Sequence, residues 1–557
     1  MEQNRAPGRP YNREWLFDRL IALPAERKIS SRRITVKIRY ALAAVLVLVL
    51  AVTPVLGQTS AANKDVSLTL DQAILKALKN NLNLAVQEYN PGIAGEAVSA
   101  AKEFFLPQLQ LGANLARYQS ASYSFLQTSG TYKDNMNDYT AAVLGNIPTG
   151  GNYRLSFDMY NDDNNQFFQS INPRYGSTLR FDLTQPLLKN FGPKVSRQAI
   201  TLAENNYDIS QSQLESSVMD TIYSVEEAYW TLVYALEDYK VREQSLQLGR
   251  DLLSKNQKEV EVGQLAPIEI LNAQATVAAR EADMLAAKQA ILRAQDVLKT
   301  IVNLQAEVPD RTVNIVPADK PGFEKRTVSL DEALKTALEK RPNLKAQRAD
   351  IENKSLSYSV AKNQTLPQLD LQASYWSPGI SGDQILYLDN NPFTGVIVGK
   401  IPGSVGDSIR DAFKQLYRNW TVGLTLTVPL STITSRAAVA QTRLELEQTE
   451  TQLKSLEQQI TLEVSDAVRN IEINAQRYEA YKVARELSEK QLAAEEKKLS
   501  VGLSTNFFVL DAQDKLASAR SQELKSLVDY NLSLIQYERA TGTALRTRNI
   551  TIEQFQK

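Results

Sequence analysis

From Thr69 onward the apolar residues keep switching between helical spacing and strict alternation, and each switch marks an element. Ala73, Ala77 and Leu78 share a helical face behind Thr69 and Gln72, which stand at capping-box spacing. A second helix leads to Leu106-Pro107-Gln108-Leu109, where proline ends the helix and starts an extended segment. Leu109, Leu111, Ala113 and Leu115 then alternate with Gln108, Gln110, Gly112 and Asn114. A return strand sets Leu179, Phe181 and Leu183 against Thr178, Arg180, Asp182 and Thr184. Such strands are predicted to run about 9–11 residues, enough to cross a bilayer when tilted. Helical spacing comes back over 195–262, where Val218, Ile222, Val225, Tyr229, Leu232 and Leu236 form a heptad seam with Gly249 as the one interior glycine. At 1.5 Å per residue that helix is on the order of 100 Å long. Val262-Gly263-Gln264-Leu265-Ala266-Pro267 reverses it into a descending helix over 267–303, with Gly suited to the helix end and Pro to the next first turn.

The whole pattern then occurs again. Leu70-Asp71-Gln72-Ala73 returns 260 positions later as Leu330-Asp331-Glu332-Ala333, and Leu106-Pro107-Gln108-Leu109 as Leu366-Pro367-Gln368-Leu369. Ser329 and Glu332 repeat the capping-box spacing, and Leu369, Leu371, Ala373 and Tyr375 repeat the alternation. Trp420, Val422, Leu424, Leu426 and Val428 form the return strand. A long helix over 435–501 carries the seam Leu453, Leu456, Ile460, Val464, Ala467 and Ile471, and the descending helix spans 506–541. Here the offset is 239: Val262-Gly263 matches Val501-Gly502, and Leu271-Asn272-Ala273-Gln274 matches Leu510-Asp511-Ala512-Gln513. A repeat this long predicts two similar halves, 58–308 and 328–557, joined by a linker over 309–327 that holds Pro309, Pro317 and Pro321. The shift in offset leaves the first half 21 residues longer in its strand region. Ile147-Pro148-Thr149-Gly150-Gly151-Asn152 is a turn signal before the alternating Tyr153, Leu155, Phe157 and Met159, so an extra β-hairpin is predicted there, either inside a barrel or outside it. Segments 119–176 and 377–416, rich in Tyr, Asn, Asp, Ser and Gly, suit extracellular loops.

Composition narrows the chemistry. The 557 residues contain no His and no Cys, which removes thiol nucleophiles, His-based triads, disulfides and nearly every zinc or haem site. No nucleotide-binding glycine motif and no carboxylate pair stands out, so the chain is read as a non-enzyme without cofactor or bound metal. Arg27, Lys28, Arg32, Arg33, Lys37 and Arg39 precede an apolar run from Ala41 to Leu56, and Val55 and Gly57 suit cleavage before Gln58. Residues 1–57 are therefore expected to be a secretory signal peptide, with an unusually long basic region that leaves the true translation start open. That segment holds ten of the 63 basic and four of the 63 acidic residues, leaving 53 against 59 and a formal charge of −6. Nucleic acid is thus not an expected partner. No other apolar run reaches 18 residues, so an exported chain of this kind is either soluble or spans a membrane as β-structure.

Two repeats of helix, strand, strand, long coiled-coil helix, tip and return helix resemble the TolC-like outer membrane efflux protein family over about 67–545. The carriers are the paired Leu-Pro-Gln-Leu starts, the Thr184-Gln185-Pro186-Leu187 end of the strand pair, and the Val501-Gly502-Leu503 tip followed by Val509-Leu510-Asp511-Ala512. The resemblance implies an α+β membrane protein, a homotrimer in which four strands per chain build one 12-stranded outer-membrane β-barrel continued by a coiled-coil periplasmic tunnel. It implies passive conduction of exported solutes, with outer-membrane lipid, a periplasmic adaptor (membrane fusion) protein and an inner-membrane transporter as partners. By the same resemblance Asp511 matches an acidic position inside the periplasmic aperture, while Phe508 stands where a second acidic residue is common and Glu269 takes that place at the other tip. Val262, Gly263, Val501, Gly502 and Leu503 are the implied adaptor contacts. Phe507-Phe508 suits either an apolar constriction or packing between helices. The competing reading is a soluble periplasmic coiled-coil scaffold or adaptor, which would carry similar helical hairpins but no need for membrane-length strands.

Overall fold

The computed structural model describes residues 65–124, 126–306 and 313–551, so the expected signal peptide and the start of the linker lie outside the described residues. The first half opens with β1 (Val66–Leu68), α1 (Leu70–Asn80) and α2 (Leu82–Glu103). The capping box is formed: the Gln72 amide donates to Thr69 Oγ1, and the Gln72 side chain accepts from the Thr69 amide. Four strands follow, β2 (Gln108–Ala121), β3 (Thr131–Asn146), β4 (Asn152–Asn164) and β5 (Ile171–Pro186). A single turn, α3 (Pro193–Ser196), leads into α4 (Gln198–Glu261), and the chain returns on α5 (Ile268–Val302). Strand β6 (Ile315–Pro317) pairs in parallel with β1 and ties the linker to the start of the first half. Tyr229, fully buried, closes that junction, with its hydroxyl 3.0 Å from the Leu68 carbonyl and 2.8 Å from the Asp319 carboxylate.

The second half repeats the order with fewer strands. Helices α6 (Leu330–Lys340) and α7 (Pro342–Asn363) precede β7 (Gln368–Tyr387), and a short β8 (Ile397–Ile401) and a helix α8 (Val405–Phe413) precede β9 (Asn419–Thr427). The second hairpin is α9 (Ile433–Ser500) and α10 (Asn506–Thr541), closed by a turn of helix α11 (Ala544–Thr547). The capping box expected at Ser329 is not formed, because its side chain makes no hydrogen bond to the helix. The region 377–416, expected to be loop, holds the upper part of β7, β8 and α8 instead. Its helix starts at Ser404, which forms a reciprocal capping box with Asp407, an aspartate where glutamate or glutamine is usual.

Six long strands form one antiparallel ribbon in the order β2-β3-β4-β5-β7-β9, with β8 added beside the far end of β7. The resemblance implied four strands per chain and left the extra hairpin inside or outside; the sheet has six long strands, and the hairpin β3–β4 lies within it, between β2 and β5. It is held there by unbroken register from Gln108↔Leu144 to Ala121↔Thr131 and from Asn152↔Thr184 to Asp162↔Arg174. Most strands also outrun the expected length: β2 has 14 residues, β5 has 16 and β7 has 20, while β9 has nine.

The helical part is held by the predicted seams. Val218, Ile222, Val225, Tyr229 and Leu232 are buried with Leu298 of α5 and Val528 of α10, and Leu236 packs at the edge. Ile460, Val464 and Ala467 make the matching core with Ala333, Ala337 and Leu344, while Ile471 packs with Tyr530. Each buried Leu or Ile of these seams contributes about 1.5–3 kcal/mol relative to exposure. The most deeply buried charged residue lies among them. Glu226 of α4 is fully buried against Arg548, which also lies 3.7 Å from Glu538. Burial pushes its carboxyl up to about 7 despite the attraction of Arg548, and burial raises Glu538 as well.

Candidate functional site

The ribbon has two chemically distinct faces, because side chains alternate across every strand. One straight row across the register runs Leu109, Val143, Leu155, Phe181, Tyr375 and Trp420. Rows beside it on the same face carry Leu111, Leu115, Val422, Leu424 and Leu426, and most of these side chains stand in the open. The opposite face is polar and internally bonded. Asn114 donates to Asp138, Thr140 and Ser156 donate to Asp158, and Arg180 and Ser374 donate to Asp182. A contiguous apolar face this large, with a polar face behind it, suits lipid outside and water inside.

At the other end of the molecule both helical hairpins reverse in the same way. Gly263 and Gly502 take φ of +78° and +75°, a left-handed conformation that a Cβ would strain. The Gln264 amide donates to Glu259 O at 2.8 Å and the Leu503 amide to Lys498 O at 2.9 Å, so each reversal satisfies the last helical carbonyls. Val262, Val501 and Leu503 project outward, Leu503 at 79% exposure. Phe507 and Phe508 are also exposed, edge to face at 5.6 Å, so they pack on each other and not between helices of this chain. Asp511 sits one turn from Phe508 on the exposed stripe of α10, while Val509, Leu510 and Ala512 turn into the core with Leu252 and Leu492. Its carboxylate is 2.7 Å from Lys515, an exposed pair one turn apart. Glu269 is half-buried in the first turn of α5, where the helix N-terminus favours a carboxylate.

Arg280 escaped the sequence reading. It is buried on α5 and reaches two other helices: Nη1 donates to Ser245 O at 2.8 Å on α4 and to Gln513 Oε1 at 3.0 Å on α10, and Nε donates to Asp514 of α10 at 3.0 Å. Gly249 gives it room, since a Cβ there would stand 3.0 Å from Arg280 Nη1, a tight approach. The lone interior glycine of α4 was the available signal. A lone arginine on a helix carries none, because most are solvated.

No helix among the described residues is long and apolar enough to cross a membrane, and no group of three or more acidic residues among them could hold a metal. A sheet with one lipid-like face, mounted on helical hairpins about 100 Å long, defines the class: an outer-membrane channel subunit. The sequence pattern described as "Outer membrane efflux protein" matches residues 181–304 and 333–543, more than half of the chain, and the chain belongs to that family. It is 23% identical to outer membrane protein TolC of Vibrio cholerae serotype O1 over 62% of this chain and 73% of that one. It is 23% identical to TolC of Escherichia coli K12 over 74% of this chain and 77% of that one. The Campylobacter jejuni CmeC outer membrane channel has the same fold, with a TM-score of 0.59 at 15% identity over 88% of this chain and 89% of that one. The family is one of channels, and the chain's place is the outer membrane, with its helices extending into the periplasm.

Proposed function

We propose that three copies of this chain form the outer-membrane exit duct of a tripartite efflux or type I secretion system. The duct passively conducts solutes that an inner-membrane pump delivers through a periplasmic adaptor. The observation that carries this is the ribbon itself: its outer face is apolar, and β2 and β9 each pair on one side alone among the described residues. Open edges are not tolerated in hydrocarbon. The six strands alternate in direction, so β9 of one copy meets β2 of the next antiparallel and the ring closes. A water-soluble scaffold would have to leave Leu109, Leu111, Leu424 and Leu426 in water. With six strands per chain, three copies bring eighteen strands, where the family resemblance implied twelve.

Each half, 58–308 and 328–557 about the linker 309–327, supplies strands to the barrel and one hairpin to the tunnel. The exposed tip residues Val262, Gly263, Val501, Gly502 and Leu503 meet the adaptor. Phe508 and Asp511 share the stripe that lines the aperture, with Glu269 at the neighbouring tip. Lys515 offsets the charge of Asp511, so the ring it makes attracts cations less than a bare carboxylate ring would. The chain performs no catalysis. The test is fractionation followed by planar-bilayer recording: the protein extracts with outer membrane and conducts. Recovery free in the periplasm, with no conductance after purification, would overturn the duct.

A further inference from the structure

Helix α8 lies on the apolar side of the sheet. Ser408 Oγ is 2.8 Å from Ser177 Oγ, and Phe413 stacks on Phe157 at 5.2 Å between ring centres. A Cβ on Gly379 would meet the Ser408 carbonyl oxygen at 1.9 Å, so this glycine is what lets the helix touch the strand. Ser177, Phe157 and Gly379 share the face of Leu179, Phe181 and Tyr375 by strand parity and register. The helix therefore sits outside the barrel and not in its lumen.

Its height follows from where the outward positions of each strand change from apolar to polar or small: Leu115 to Arg117 on β2, Tyr139 to Asn137 on β3, Met159 to Asn161 on β4, Leu179 to Ser177 on β5 and Tyr375 to Ser377 on β7, a rim that steps across the register rows as tilted strands require. On its own strands helix α8 covers Ser177, the first position past that change on β5, and Gly379, the second past it on β7, on the side remote from the long helices. From Leu109 to Leu115 the band spans six residue steps, about 20 Å along the strand before tilt. Outer-membrane barrels carry a band of about 25 Å. The exposed Phe413, Leu416 and Tyr417 stand just before Trp420, where the apolar band of β9 begins, and lengthen it there. Charge sits beside them. Arg410 is paired with Asp407, and Asp411 is half-buried, but Lys414 and Arg418 are exposed and have no carboxylate partner among the described residues.

We infer that α8 and the turn after it form a docking surface for the phosphorylated headgroup of an anionic lipid in the outer leaflet. The inference rests on the duct reading, because it needs the apolar face in lipid. Phe413, Leu416 and Tyr417 enter the acyl boundary, and Lys414 and Arg418 reach the phosphates, the usual division of an interfacial helix. Continuity with the apolar band and the unpaired basic pair select lipid over protein as the occupant.

The test uses the purified full protein in phosphatidylcholine nanodiscs doped with diphosphorylated lipid A, with bound lipid A measured by native mass spectrometry. Lys414→Gln with Arg418→Gln is expected to weaken lipid A retention on the order of tenfold. Lys240→Gln, an exposed lysine on α4, should leave it unchanged. Equal retention by the double variant and the wild type, or an equal loss in Lys240→Gln, overturns the inference. A protein that enters nanodiscs and conducts but shows no lipid A dependence sinks this inference alone. One that neither enters nor conducts sinks the duct reading first.

Discussion

The two halves differ where a sheet can absorb a difference and agree where a tunnel cannot. Their helical hairpins are nearly equal, 64 and 35 residues in the first half against 68 and 36 in the second. Their strand regions are not: the first half spends four long strands where the second spends two. A hairpin added to an antiparallel ribbon widens it sideways and keeps the direction of every other strand, so nothing downstream must move. A helix lengthened by 21 residues would carry its tip about 30 Å beyond its neighbour, and the two tips could no longer share one plane. Insertion is therefore confined to the sheet.

The sharpest way to break this comparison is to remove strands in even and odd numbers. Excising 122–169, which carries β3 and β4 as a pair, is expected to leave β2 to pair with β5 and to give an assembled oligomer on native gels. Excising 131–146, β3 alone, reverses the sense of β4 relative to β2 and is expected to abolish assembly. Assembly of the single-strand deletion would refute the pairing scheme. At the tips the halves are alike, so Leu503→Glu should abolish export in cells while assembly persists; the residue is exposed and its backbone carries no strain. Normal export would remove the tip from adaptor contact.

A third test lies in the buried charge, which the halves do not share: Ser465 stands in the second half where Glu226 stands in the first. The native Glu226 carboxyl, raised to about 7, holds a proton that the unfolded chain releases near its ordinary value of about 4.3. Its contribution is complete below that ordinary value and is lost as pH rises through about 7, a change on the order of 3 kcal/mol. Glu226→Gln should flatten the fall in apparent Tm between pH 4.5 and 8. Parallel slopes in variant and wild type would contradict the assignment. The smallest effect concerns the charge proposed for the aperture. Asp511→Asn should lower cation preference in a bilayer, and Lys515→Gln should raise it, because the two groups offset each other. The first half has Asn272 at the matching position, so Asn272→Asp should move preference in the direction of Lys515→Gln.

Much of this fold was legible because periodicity repeats. The heptad from Val218 to Leu236 and its counterpart from Leu453 to Ile471 fixed both long helices to within a few residues of their ends. Gly263 and Gly502 marked the reversals, since a left-handed glycine just past the last turn is a common way to end a helix. The placement of β3–β4 was not legible, because alternation says that a strand has two faces and not which neighbour it takes. Helix α8 was hidden by short length and by tyrosine- and glycine-rich flanks, although Ser404, Val405, Ile409, Ala412 and Phe413 carry a cap and a helical stripe. Arg280 was invisible because its worth lies in three chain-distant partners, Ser245, Gln513 and Asp514.

The central claim is that each chain brings six strands to a barrel that only several copies can close. Single-particle imaging of the purified protein in nanodiscs tests it most directly. The account predicts a threefold particle with eighteen strands, β9 of each copy hydrogen-bonded to β2 of the next. A threefold particle with twelve strands and the β3–β4 hairpin folded outside would contradict the strand count, and a particle without threefold symmetry would contradict the closure itself.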